Sequence, residues 1–278
     1  MARHTSFKIG GPADLLVIPE DVGDLRAALA FARSQQIPVR VLGGGSNTLV
    51  RDGGIRGMVL LLSAFQELSR EGSEVTAGAG VRVSRLLAFS SRQGLGGLEI
   101  LSGVPGTVGG AVWGNAGAWG GSTADHLVRV QLVTREGEER ILAREVIPFR
   151  YRFSGFPEGA VITRATFALV PGNPTAIRKQ ISRWLVRRNA TQPVEFRSAG
   201  SIFKNPPGDY AGRLVEGAGI RGIRIGGAMI SEKHGNFFVN LGGARAADVL
   251  ALVALAQERV RATAGVDLEP EIQVVGED

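Results

Sequence analysis

The stretch VLGGGSNTLV, residues 41–50, places three consecutive glycines after a short apolar run and closes them with Ser46 and Asn47. Glycine loses more backbone freedom on folding than any other residue, so a run of three answers a need for bare backbone. The loop follows VRVL (39–42), which reads as a strand, and precedes GMVLLL (57–62), which reads as another. Upstream, DLLVI (14–18) is a short strand stopped by Pro19. Asp21 can cap a helix over 22–36, with Leu25, Ala28, Leu29 and Ala32 on one face. This order of elements describes an α/β subdomain ending near residue 65. Two readings of the loop stand side by side. Its N–H groups can form a nest for a pyrophosphate, with Ser46 and Asn47 as extra donors, or the glycines serve a tight connection that needs positive φ. The patterns G-x-x-x-x-G-K-[ST] and G-x-G-x-x-G are absent, which argues against an ordinary P-loop or Rossmann site.

Further along, EVTAGAG (74–80) reads as a strand running into a helix over 81–93, with Val83, Leu86, Leu87 and Ser90 on one side. A second glycine cluster, SGVPGTVGGAVWGNAGAWGG, spans 102–121. Gly103, Gly106, Gly109 and Gly110 would let backbone lie against a flat or phosphorylated ligand, and Pro105 could open a short helix. The alternative is a packing seam of small residues. Two such stretches about 60 residues apart favour one large cofactor that touches both. LVRVQLVTREGEERIL (127–142) is a hairpin turning at Glu136-Gly137, and AVITRATFALV (160–170) is a further strand. Pro171 to Pro174 is the clearest break, and the main domain boundary is placed near 172. Beyond it come a cationic helix over 175–189 with Ile177, Ile181, Trp184 and Leu185 facing inward, a helix over 245–263, and a final strand LEPEIQVV (268–275).

Composition narrows the chemistry. The 278 residues exceed what one small core needs, and 40 glycines are about twice the usual share. There is no cysteine, so disulfides, thiolate ligands and a cysteine nucleophile are excluded. His4, His126 and His234 lie far apart, so a histidine-rich metal site is not expected. No apolar run reaches about 18 residues, and an unanchored, cytoplasmic chain is expected. A net charge of +6 and a pI near 10.4 suggest an anionic partner, whether nucleic acid, nucleotide or phosphate. The 32 basic residues include only four lysines, leaving 28 arginines, and they are scattered, which counts against nucleic acid.

Three later segments offer side-chain chemistry. In RYRFSGF (150–156), an extended backbone would put Arg150 and Arg152 on one face with Tyr151 opposite. An arginine at a strand end can clamp a carboxylate bidentately. In SAGSIFKNP (198–206), the Ser201 hydroxyl can donate a proton to a developing carbanion or serve as a cap. No G-x-S-x-G elbow is present, which argues against a hydrolase nucleophile. In LEPEIQVVG (268–276), Glu269 and Glu271 would share a face of a largely buried strand, where a carboxylate is costly unless paired or functional.

Taken in this order, the five segments closely resemble the UDP-N-acetylenolpyruvoylglucosamine reductases, flavoenzymes that complete UDP-N-acetylmuramate in bacterial wall synthesis. The likeness runs from HTSFKIGGPADLLVIP (4–19) to GVDLEPEIQVVG (265–276), through AGRLVEGAGIRG (211–222) and GGAMISEKHGNFFVN (226–240). It implies an α+β fold: a two-lobed FAD-binding domain of the vanillyl-alcohol-oxidase (PCMH) type over 1–65 and 66–172, then a C-terminal αβ substrate-binding domain over 173–278. It implies FAD and NADPH as cofactors and a nucleotide sugar as the small-molecule partner. Neither nucleic acid nor membrane is an expected partner, and a monomer is expected.

On this resemblance, the FAD pyrophosphate approaches the loop Gly43, Gly44, Gly45, Ser46 and Asn47, with Val41 and Leu42 also binding the cofactor. Gly103, Pro105, Gly106, Thr107, Gly109 and Gly110, with Asn115 and Gly117, lie along the rest of the cofactor. Arg152, Ser201 and Glu271 match the family's catalytic residues, and Tyr151, Lys204, Asn205 and Lys233 match substrate-binding positions. The implied chemistry moves a hydride from NADPH to FAD and then, after NADP leaves, to C3 of the enolpyruvyl group. Ser201 gives a proton to C2. Arg152 would stabilise the carboxylate and the growing enolate charge, and Glu271 would be protonated or share a proton, because like charges repel. Little chain separates Tyr151-Arg152 from the 160–170 strand, as in the shorter type of the family, which lacks an inserted loop with a substrate-covering tyrosine.

Overall fold

In the computed structural model, which describes residues 1–278, Asp21 accepts the backbone N–H of Asp24 at 2.9 Å and caps the helix Val22–Ser34. Leu25, Leu29 and Ala32 are buried on its inner face, at the expected helical spacing. The helix leads into Val39–Leu42, which pairs in parallel with residues 58–61, Val39 opposite Met58 and Leu42 opposite Leu61. These elements belong to the larger of two compact units, made of Leu15–Gly44 and Gly57–Arg187.

The rest of that unit is built on a five-stranded antiparallel sheet, ordered Glu139–Ala143, Leu127–Val133, Val161–Ala168, Glu74–Gly78 and Leu68–Glu71. The hairpin between 133 and 139 turns as expected, with Gly137 at φ 92 and its N–H on the Thr134 carbonyl. Helix Val83–Arg92 buries Val83, Leu86, Leu87 and Ser90. Phe167, Leu60, Leu86, Leu95, Leu98 and Leu101 are fully buried in one shared core. Helix Pro174–Thr191 starts on a proline, with Asn173 accepting the N–H groups of Thr175 and Ala176 at 2.8 and 3.3 Å. Its expected inner face is only partly realised. Ile177 is buried, Ile181 and Trp184 are half-buried, and Leu185 is exposed. Trp184 spends its ring on a stack with Trp119 at 4.5 Å rather than on the core.

The second unit joins Met1–Asp14, Gly45–Arg56 and Arg188–Asp278. Its antiparallel sheet runs in the order Arg197–Ser201, Phe237–Asn240, Ala228–Ile230, Arg224–Ile225. Helix Ala246–Ala264 lays Val249, Leu252, Val253, Ala256 and Val260 into the core and ends at Gly265, which adopts φ 68. Phe7, Ile9 and Leu49 lie in the same core as Phe203 and Phe238. These early residues therefore pack with the late ones, whereas sequence order suggests the consecutive stretches 1–65, 66–172 and 173–278.

LEPEIQVV is not one strand. Only Gln273–Val275 is, and it pairs in parallel with Thr48–Val50. Pro270 has no N–H to give a ladder, and the preceding residues make only an isolated bridge from Pro270 to Phe203. Leu268 and Ile272 are still buried, so the segment is pinned by its apolar residues together with the few main-chain bonds around that bridge.

Asp52 caps a helix nearly two hundred residues away. Its carboxylate accepts the N–H groups of Ala246 and Ala247 at 2.9 and 3.1 Å. Asp52→Ala is expected to lower stability by about 1–2 kcal/mol, the usual value of a helix cap. A shift of the urea midpoint of the C-terminal unit, followed through its amide protection, checks this.

Candidate functional site

Within the larger unit, the two glycine stretches meet. A Cβ added to Gly44 would stand 2.6 Å from the Gly106 Cα, and one on Gly43 would stand 2.9 Å from Thr107 Oγ1 and 3.6 Å from the Gly110 Cα. Only bare backbone can approach so closely. Leu42 is buried at the end of its strand, while Val41, Gly43 and Gly44 are exposed. No backbone carbonyl claims the N–H of Gly43 or Gly44. The partner stretch is held from behind: Val108 N–H meets Val81 C=O at 2.8 Å, and Gly109 N–H meets Ala79 C=O at 2.9 Å. Helix Val108–Trp113 is thereby fixed against the sheet, with Gly103, Pro105 and Gly106 leading into it.

Gly110 is the informative position. It is exposed and helical, and an added Cβ would meet nothing nearer than Thr107 Oγ1 at 3.7 Å. The fold itself does not require glycine there. Beside Gly43 and Gly44, Gly110 therefore leaves a side-chain-free wall with unclaimed N–H donors, which fits a large phosphorylated ligand. Asn115 and Gly117 each have a role in the fold. Asn115, at φ 42, donates to Arg150 C=O at 3.0 Å and accepts Ala124 N–H at 3.1 Å. Gly117 pairs with Ser122 in a short hairpin where a Cβ would meet Gly121 C=O at 2.4 Å.

The Asn115 bond also places Tyr151 and Arg152. They are not in an extended run but form the two-residue turn between Phe149–Arg150 and Phe153–Ser154, with Arg152 at φ 56. Ser154 Oγ donates to Trp113 C=O, and Trp113 stacks on Phe156 at 5.7 Å, so the turn is tied to the 108–117 segment. A non-glycine residue in the left-handed region is strained, and such strain concentrates at functional sites. The Arg152 guanidinium lies over the Tyr151 ring at 4.9 Å. Residues 155–160 alone separate this hairpin from strand Val161–Ala168, which leaves no room for an inserted loop.

In the C-terminal unit, Gly45 is buried at φ 59, and a Cβ there would meet His4 C=O at 2.3 Å. Ser201 ends its strand, half-buried, opposite Phe237. Glu271 N–H donates to Ile202 C=O at 2.7 Å, Asn47 Nδ2 donates to Glu271 C=O at 3.0 Å, and Gln273 N–H returns to Asn47 C=O at 2.9 Å. The backbone of Glu271 is thus tied both to Ile202, the residue after Ser201, and to the Asn47 amide. Lys204 pairs with exposed Glu269, so those two charges are spent on each other. Glu269 and Glu271 do not share a pleat face, because no strand exists at 268–272. Asn205 Oδ1 accepts Ala211 N–H at 3.1 Å, and Lys233 Nζ donates to Asn189 C=O at 2.6 Å.

Comparison with known proteins agrees with this layout. A family model described as UDP-N-acetylenolpyruvoylglucosamine reductase, C-terminal domain, matches residues 192–275, and one described as FAD binding domain matches 13–142. A protein of Moorella thermoacetica named UDP-N-acetylenolpyruvoylglucosamine reductase is 46% identical over 277 residues, covering 100% of this chain and 92% of its own. One of the same name from Geobacter metallireducens is 47% identical, covering 100% and 93%. The chain belongs to the UDP-N-acetylenolpyruvoylglucosamine reductase family. A crystal structure of UDP-N-acetylenolpyruvylglucosamine reductase from Thermus caldophilus superposes with a TM-score of 0.88 at 40% identity, over 99% of this chain and 97% of that one. This family member is an FAD-dependent oxidoreductase of α+β fold, with an FAD-binding domain ahead of its C-terminal reductase domain. No group of acidic or histidine side chains is placed to hold a metal, and no helix is long and apolar enough to cross a membrane.

Two residues escaped the sequence reading. Asn236 is 3% exposed inside an apolar strand entry, and a lone buried amide is itself a signal, since it must be satisfied. His234 Nδ1 accepts Asn236 N–H at 3.1 Å, and its ring packs edge-on to Phe237 at 4.9 Å. Burial pushes the His234 imidazole below its ordinary range; Glu216 opposes that shift and Arg221 adds to it.

Two outcomes follow from this geometry. Gly110→Ala should leave the apo fold as stable or up to about 1 kcal/mol more so, as alanine in a helix predicts, yet weaken FAD retention. Gly44→Ala should destabilise the apo fold. Thermal melts with and without added FAD separate the two. For His234, the folded state prefers the neutral ring, so the unfolded chain binds more protons as pH falls from about 6.5. Stability is therefore full above about 6.5 and declines as pH drops through the lower folded value. His234→Gln should flatten that decline in urea midpoints measured between about pH 7.5 and 5.5.

Proposed function

We propose that this chain reduces UDP-N-acetylglucosamine enolpyruvate to UDP-N-acetylmuramate with NADPH, in peptidoglycan precursor synthesis. The observation that carries the reading is the lacing of the Ser201 and Glu271 segments through one 2.7 Å backbone bond, in a chain 46% identical to a named reductase. Functionally, residues 1–172 supply the cofactor lobes and 173–278 the substrate domain, with 1–14 and 45–56 built into the core of the latter.

Gly43, Gly44, Gly106 and Gly110 would hold FAD through exposed backbone, with Val41, Leu42, Gly103, Pro105, Thr107 and Gly109 framing them. When bound, FAD supplies the two-electron transfer that links NADPH oxidation to reduction of the enolpyruvyl double bond. The protein's own groups handle charge and protons. Arg152 holds the substrate carboxylate and faces the negative charge that develops as C3 gains hydride. One preorganised donor of this kind is commonly worth about 3 kcal/mol. The strained turn fixes the guanidinium before substrate arrives, so little ordering remains to be done at the reaction.

Ser201 gives its proton to C2. A serine hydroxyl is a weak acid in water, and only a strongly basic carbon held against it makes the transfer favourable. Glu271 acts from the adjoining segment as a neutral carboxyl, since an ionised one would oppose the enolate charge. Tyr151, Lys204, Asn205 and Lys233 bind the nucleotide sugar, Lys204 and Lys233 by exchanging present partners for phosphate oxygens. The lysines keep half-exposed side chains, which makes that exchange cheap.

Ser201→Ala should leave anaerobic bleaching of the flavin by NADPH intact while slowing its recolouring by enolpyruvyl substrate by about 100-fold or more, the usual contribution of a general acid. Stopped-flow absorbance resolves the two steps. If both stayed fast, Ser201 would not be the proton donor.

A further inference from the structure

The ladder of the strand that carries Ser201 is interrupted just before that residue and resumes at the Ser201–Phe237 pair. Register against Phe237–Asn240 shifts between Ser198 and Ser201, and Gly200 adopts φ 76 within the shift. Such an irregularity aims a side chain but removes the regular bonds that would hold the aim. Asn236 holds the strand on the other side of Ser201. Its Oδ1 accepts Phe203 N–H at 2.8 Å, its Nδ2 donates to Phe203 C=O at 2.8 Å, and its own C=O accepts Ile202 N–H at 2.9 Å.

This is a two-sided clamp that needs an amide. Only a donor and an acceptor fixed in one plane can satisfy the N–H and C=O of a single residue together. From the other side, Glu271 N–H holds Ile202 C=O at 2.7 Å, and Glu269 C=O accepts Lys204 N–H at 2.9 Å. Ile202 and Phe203, both 0% exposed, are therefore gripped between Asn236 and the 269–271 segment, and Ser201 is the residue immediately ahead of the grip. Behind the clamp, His234 accepts Asn236 N–H and so sets the angle of its backbone.

We propose that Asn236 is a positioning residue for proton delivery: its amide clamp on Phe203 fixes the direction of the Ser201 hydroxyl relative to the Glu271 segment. The inference rests on Ser201 being the proton donor. Asn236 touches no substrate and acts only through the backbone it holds.

The test uses FAD-loaded Asn236→Asp, which keeps volume and the acceptor but loses the donor. NADPH should reduce its flavin at the parent rate, while reoxidation by enolpyruvyl substrate slows about 10- to 100-fold, the scale of a small misplacement, with the loss in kcat rather than KM. Activity should recover as pH falls and the introduced carboxyl gains a proton to donate to Phe203 C=O. The double variant Ser201→Ala, Asn236→Asp should be no slower than Ser201→Ala, because nothing remains to be misaimed. Should Asn236→Asp fail to load FAD, His234→Ala, which removes the acceptor behind the clamp together with the ring packed on Phe237, should show the same selective loss at smaller size. The proposal is overturned if the selective loss is absent, if both half-reactions slow equally, or if the double variant multiplies the losses. A Ser201→Ala that reoxidises at the parent rate sinks the proton-donor reading and the clamp with it. A slow Ser201→Ala beside an unaffected Asn236→Asp sinks the clamp alone.

Discussion

Backbone set against backbone without intervening side chains is the constraint on which the cofactor-binding part of this protein depends. Gly44 and Gly106 can approach because neither carries a Cβ, and a methyl on Gly44 would sit 2.6 Å from its neighbour. That approach brings two segments some sixty residues apart in sequence into one wall. Neighbouring Gly110 then extends the wall at a position where the fold would tolerate a side chain. The glycines thus divide into those that allow the protein to close on itself and those left bare for something else. Gly45 belongs to the first kind, since it makes room for the His4 carbonyl.

Side-chain chemistry is supported differently. The Ser201 and Glu271 segments are joined by the main-chain bond from Glu271 N–H to Ile202 C=O, and the Asn47 side-chain amide holds Glu271 C=O. Arg152 is held by its own backbone, in a two-residue turn tethered through Arg150 to Asn115. In both cases the backbone of the proposed functional residue is placed by hydrogen bonds from its neighbours.

Local signals proved legible where the physics is local. The Asp21 cap, the Leu25, Leu29 and Ala32 face and the Glu136-Gly137 turn depend on residues within a few positions, and each forms. Two glycine clusters in one domain favoured a shared wall over two separate packing seams, and Gly44 and Gly106 do meet. Where distant contacts decide, the sequence was silent or misleading. RYRF alternates like a strand, yet the bond from Asn115, 35 residues earlier, helps make it a turn. LEPEIQVV alternates as well, but Pro270 cannot pair, and its last three residues join a strand from the start of the chain. Trp184 has the spacing of a core residue, and Trp119 draws it to a stack instead. The roles of Asn236 and His234 lie in their partners, which no neighbouring letter reveals. The family's characteristic motifs, in contrast, survive as letters, and they carried the reading of fold and chemistry further than periodicity could.

The C-terminal unit is assembled from both ends of the chain. Phe7, Ile9 and Leu49 leave the ribosome long before Val249, Leu252 or Ile272 exist, and Asp52 waits for the helix at Ala246 that it will cap. The intervening larger unit has a complete core of its own and can mature during synthesis, while the early apolar residues stay unsatisfied until translation ends. Vectorial synthesis therefore imposes an order in which the half that carries Ser201 and Glu271 is finished last.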